Sequence, residues 1–143
     1  MARILILEES SANMCDFRHA LVGHELFCVG TLDLAMDILK GCRVDLVVTG
    51  VYLERGDIFR FLRIVKTYCP NVRVVLCSTN AAHTLRYAHE LIRKAATALG
   101  AYSYVILKKF HPIELRSAIE ACLPLNCSEP DIRPQYGYAR VVK

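Results

Sequence analysis

The sequence has no apolar run longer than a handful of residues, far short of the roughly 20 needed to cross a bilayer as a helix. Its opening, Met1-Ala2-Arg3-Ile4-Leu5-Ile6-Leu7, is followed at once by Glu8 and Glu9, with no small-residue cleavage site, and so reads as a first β-strand rather than a signal peptide. There is no Cys-x-x-Cys. The 7 cysteines (Cys15, Cys28, Cys42, Cys69, Cys77, Cys122 and Cys127) are odd in number and irregularly spaced, which argues against a zinc site or a disulfide framework. Most lie inside apolar patterns such as Val74-Val75-Leu76-Cys77, as small buried hydrophobes would in a reducing cytoplasm. His19, His24, His83, His89 and His111 include no pair four residues apart, so zinc sites and catalytic dyads have little support. No glycine-rich loop follows the first strand. Glu8-Glu9-Ser10-Ser11 stands there instead and would repel the phosphate of a nucleotide or flavin.

What is present suits one packed domain. The 143 residues are 54% hydrophobic and 22% charged, the balance of a folded core rather than a disordered chain. The net charge of +4 is mild and permits an acidic partner without requiring one. Arg60, Arg63 and Lys66 recur on one helix face, and Arg86, Arg93 and Lys94 lie on another helix. With no aromatic interleaving and no helix-turn-helix pattern, these read as solvated faces, and nucleic acid is the weaker interpretation.

Hydrophobic periodicity alternates along the chain. Strands are expected at Arg3 to Leu7, Leu26 to Val29, Asp45 to Thr49, Val72 to Cys77 and Tyr104 to Leu107. Helices are expected between them. One is capped by Ser10 or Ser11 and runs to about Val22; one opens at Gly30-Thr31 and stops at Gly41; one is capped by Asp57 and runs through Tyr68. A long helix spans 80–99 and stops at Gly100, and a last one spans 112–122 with Pro112 at its first position. Short apolar strands alternating with helices imply βαβ units with right-handed crossovers. The fold class is then α/β, a doubly wound parallel sheet in a three-layer sandwich. In such sheets the site lies at the carboxyl ends of the strands, which here are Glu8, Glu9, Gly50, Ser78 and, by register, Leu107 or Lys108. Acids, a hydroxyl and a lysine would thus gather around Gly50, a position without a side chain.

The motifs Ile4-Leu5-Ile6-Leu7-Glu8-Glu9, Asp45-Leu46-Val47-Val48-Thr49-Gly50, Val74-Val75-Leu76-Cys77-Ser78, and Gly100-Ala101 followed by Tyr104 and Lys108-Lys109-Phe110 come in an order that resembles the receiver domains of bacterial two-component response regulators. The resemblance implies a flavodoxin-like five-stranded sheet of order 2-1-3-4-5 over residues 1–123, with a tail over 124–143. In that family an acidic pair and a strand-end aspartate bind Mg²⁺, the aspartate accepts a phosphoryl group, and a hydroxyl and a lysine contact it. Position by position, Glu8 and Glu9 match the acidic pair, Gly50 the acceptor, Ser78 the switch hydroxyl and Tyr104 the switch aromatic. Lys108 matches the lysine when the alignment is anchored on Phe110, whereas anchoring on Tyr104 puts Leu107 there.

Glycine supplies no nucleophile, so carboxylate attack on phosphorus at position 50 is excluded. Loss of that ligand makes Mg²⁺ weak or absent, with Glu8 and Glu9 as its only weak candidates, and no other cofactor is expected. The structural alternative has Glu8 and Glu9 capping the next helix or neutralising Lys108, and Ser78 capping the long helix. Thr49 should point to the opposite face of the sheet.

The resemblance thus implies a degenerate, non-enzymatic, cytoplasmic receiver. It would act on a protein partner or on a second copy through helix 80–99, strand 104–107 and helix 112–122. Two alternatives remain open: an unconventional phospho-acceptor or small-ligand sensor using the remaining acids, and a basic nucleic-acid accessory protein. The tail holds Pro130, Pro134 and Gly137, and its 137–142 stretch could add a strand to a sheet edge.

Overall fold

The computed structural model describes residues 1–51, 57–79, 86–125 and 139–141. The elements run β1 (Arg3–Leu7), α1 (Ser11–Ala20), β2 (Glu25–Val29), α2 (Leu32–Gly41), β3 (Leu46–Gly50), α3 (Ile58–Tyr68), β4 (Arg73–Ser78), α4 (Arg86–Ala98), β5 (Ser103–Ile106), α5 (Pro112–Glu120) and β6 (Ala139–Val141). The first five strands form the expected parallel sheet in the order 2-1-3-4-5. The tail contributes a sixth, parallel to β2, giving β5-β4-β3-β1-β2-β6. Within the 137–142 stretch expected to add an edge strand, the described residues 139–141 pair with β2, with Ala139 level with Leu26 and Val141 level with Cys28.

The helices form where local chemistry starts and stops them. Ser10, Thr31 and Asp57 each accept from backbone N–H groups of the first turn that follows, and Pro112 opens α5 behind the His111 cap. Gly100 has φ +98°, a left-handed conformation that glycine adopts freely. There it ends α4, its N–H donating to Thr97 O while Ala101 N–H donates to Ala96 O. Of the long helix expected over 80–99, the residues before Arg86 lie outside the described residues.

Strand alternation splits the core in two. Leu5, Leu7, Phe27, Val47, Val74, Leu76 and Tyr104 pack against Ala35, Phe61, Leu62, Val65 and Ala96 of α2, α3 and α4. Ile4, Ile6, Leu26, Val48, Val75 and Cys77 pack against Phe17, Ala20, Leu115 and Ile119 of α1 and α5. With both faces covered, β1 and β3 read as continuous apolar runs. Among the described residues, no helix is long and apolar enough to cross a membrane.

Candidate functional site

Register sets the site. β1 and β3 pair with Leu7 level with Thr49, so the next residue of each chain, Glu8 and Gly50, falls on the same level and the same face. Backbone pairing continues one step past β1, because Glu8 N–H donates to Val29 O at 3.1 Å. The Glu8 side chain then turns over the end of β3. A β-carbon built on Gly50 would meet Glu8 Oε2, with Glu8 Cδ at 2.9 Å and Oε1 at 3.3 Å. The hollow expected above Gly50 is therefore filled, and the group filling it is the chain's own carboxylate.

This carboxylate is buried, with Glu8 only 7% exposed. Its Oε1 accepts from Ser10 N–H at 3.0 Å. Burial pushes the Glu8 carboxyl above its ordinary pKa of 4.5, and Glu9's charge pushes the same way. The backbone N–H groups of Ser10 and Glu9 and the Asn13 side chain pull against the shift. Glu8 thus braces the turn into α1, while Ser10 itself caps the helix.

The remaining expected residues do not close around Glu8. Lys108 is exposed, and among the described residues no ion pair joins it to Glu8. The reason is register. Ile106 is level with Ser78 at the end of β4; Leu107, the next residue, donates its N–H to Ser78 O at 2.8 Å and packs on the α1–α5 side, and Lys108 falls two residues beyond the strand end. The charge of Glu8 is not neutralised by Lys108. Ser78 ends β4, half-buried, and the helix start it was expected to cap lies outside the described residues. Thr49 is fully buried, its Oγ1 donating to Gly50 O at 2.9 Å.

Tyr104 is buried on β5 and has a partner that motif reading missed. His89 of α4 places Nδ1 2.7 Å from the Tyr104 hydroxyl. His89 has neither metal-ligand nor dyad spacing; the signal that places it is the helical stripe that puts residue 89 on the buried face with Ile92 and Ala96.

The donor set does not fit an octahedral Mg²⁺ shell. One carboxylate is folded onto Gly50, position 50 offers none, and among the described residues no group of three or more His, Cys, Asp or Glu is placed to hold a metal.

The sequence matches no protein-family model and no curated protein. Solved structures do match. The chemotaxis response regulator CheY4 of Vibrio cholerae superposes with a TM-score of 0.71 at 20% identity, covering 86% of this chain and 99% of that one. The beryllofluoride-activated NtrC4 receiver domain dimer gives 0.70 at 21% identity, covering 86% and 97%. The receiver domain of an HD domain-containing protein from Pseudomonas fluorescens Pf-5 gives 0.69 at 22% identity, covering 85% and 86%. The structural neighbours of this chain are thus response regulator receiver domains, and its fold is theirs.

Proposed function

We propose that this chain is a signalling module of the receiver fold that takes no phosphoryl group at the end of β3 and acts through protein contacts. The observation that carries this reading is the Glu8 carboxylate seated over Gly50. An acceptor needs a nucleophile at that point and room for a phosphoryl group and a metal beside it. Position 50 lacks the first, and Glu8 takes the space of the second. Signalling then falls to surface shape, and the α4–β5–α5 side carries exposed apolar residues for it, with Leu91 on α4 63% exposed and Ile113 on α5 73% exposed. A protein partner or a second copy of the chain would use that side. The module has no enzymatic step of its own and works in the cytoplasm.

The test is incubation with acetyl phosphate and Mg²⁺ followed by intact mass measurement. The mass stays unchanged under this proposal; a stable gain of one phosphoryl group would overturn it and favour an unconventional acceptor among the remaining acids.

A further inference from the structure

Among receiver positions, Tyr104 is the one whose side chain would report a phosphoryl group at the strand ends, and here it is held by something else. Its hydroxyl lies 2.7 Å from His89 Nδ1, with the two rings 5.8 Å apart and tilted by 43°. Both residues are more than nine-tenths buried, His89 at 7% exposure and Tyr104 at 8%. One turn along α4, Arg93 sets its guanidinium 5.9 Å from the Tyr104 ring centroid and is itself held by Glu90 at 3.1 Å. Three residues of one helix therefore converge on one side chain of β5, directly or through each other.

His89 Nε2 is the second observation. It is buried and, among the described residues, has no hydrogen-bond partner. Either tautomer leaves it short. If Tyr104 O–H donates to Nδ1, the Nε2 proton has no acceptor; if Nδ1–H donates to the phenol, the Nε2 lone pair has no donor. A leucine or phenylalanine at position 89 would fill the same space without an orphaned polar atom, so packing alone does not account for an imidazole here. What the imidazole adds is the bond to Tyr104.

We propose that His89 is a positioning residue that fixes Tyr104 in one buried rotamer and thereby holds α4 against β5 in a single arrangement with no phosphoryl group. The proposal rests on the reading that α4 and β5 belong to the contact surface. It concerns a different place from Gly50, so each can fail alone. The phosphodonor experiment tests the strand ends, whereas the His89 tie is read at the Tyr104 ring.

The experiment uses the full chain with ¹³C-labelled tyrosine, observed by NMR together with amide hydrogen exchange. In the native protein Tyr104 gives one set of ring signals, and these do not change on adding acetyl phosphate and Mg²⁺. His89→Leu keeps the volume and removes the bond; the Tyr104 ring then exchanges between two environments, and the amides of β5 exchange about tenfold faster, the scale expected for one buried hydrogen bond. His89→Asn, whose amide reaches about as far as Nδ1, brings the single ring environment back. Tyr104→Phe, the milder change if His89→Leu does not fold, produces the same acceleration in β5. Two Tyr104 environments in the native protein, an unshifted ring in His89→Leu, unchanged β5 exchange in Tyr104→Phe, or His89→Asn behaving like His89→Leu would each overturn the proposal.

Discussion

The carboxylate of Glu8 and the α-carbon of Gly50 share one small volume: a β-carbon on Gly50 would collide with Glu8 Oε2 and come within 2.9 Å of Cδ. The two positions are complementary, since an acid that reaches over from the end of β1 needs a residue without a side chain at the end of β3. Several consequences can be measured.

The two positions should be energetically coupled. Gly50→Ala forces Glu8 out and breaks its bond to Ser10 N–H, whereas in a Glu8→Ala background the carboxylate that the new methyl group would meet is gone. A double-mutant cycle by chemical denaturation is expected to give a coupling of about 1 kcal/mol or more. A coupling indistinguishable from zero would mean that Glu8 is not seated on Gly50. Gly50→Asp goes further, placing a second carboxylate against the first. That variant should melt lower than the native chain in the absence of divalent ions, and Mg²⁺ should raise its melting temperature while leaving the native chain almost unchanged.

Glu8 also sets a pH dependence. Its folded pKa is raised, mainly by burial, above the 4.5 of the free side chain. The folded state therefore holds this proton more tightly than the unfolded state does. The stabilising contribution is complete below pH 4.5 and is lost as pH rises through the folded pKa. Glu8→Gln keeps an oxygen for Ser10 N–H and removes the charge. It should melt higher than the native chain at pH 7, with the gap closing as the pH falls to 4.5. A gap that is constant with pH would show that the carboxylate is not desolvated.

His24 has the opposite sign. Its Nδ1 accepts from Ala2 N–H at 3.1 Å, so the ring is neutral and its Nε2–H donates to Glu120 at 3.2 Å. Burial lowers its pKa below 6.5, with Glu120 pulling the other way. The contribution of a depressed base is present above pH 6.5 and is lost as pH falls through the folded pKa. Stability should therefore decline on acidification below 6.5, and His24→Gln should flatten that limb of the curve. Arg116 supports the same corner, joining Glu120 at 2.9 Å and capping the carbonyls of Ala20 and Val22. Arg116→Ala is expected to cost about 1–2 kcal/mol of unfolding free energy.

The tail strand closes an edge. β6 pairs with Leu26, Phe27 and Cys28 of β2, a strand whose N–H and C=O groups would otherwise lie open to another chain. A chain ending at Leu125 should show faster amide exchange in β2 and, by light scattering, a larger concentration-dependent rise in mass than the full-length chain. Unchanged exchange in β2 would remove β6 from that edge.

Local chemistry was enough to place the elements. Apolar runs of strand length, the caps Ser10, Thr31 and Asp57, Pro112 at a helix start and Gly100 at a helix end all act over a few residues, and the structure uses each of them. The order 2-1-3-4-5 followed from the resemblance, and the strand-end cluster from the rule for doubly wound sheets. What lay beyond reach depends on how distant segments align.

The sequence by itself determined that no nucleophile stands at position 50 and that acids follow the first strand, because those are facts of residue identity. Only the tertiary structure decided that Glu8 closes over Gly50, that the strand end is level with Ile106 so that Lys108 falls beyond it, and that His89 meets Tyr104. Each depends on strand register or on the rotation of a helix over the sheet. A shift of one residue reverses which side chains face the site, and nothing local to either segment encodes that alignment.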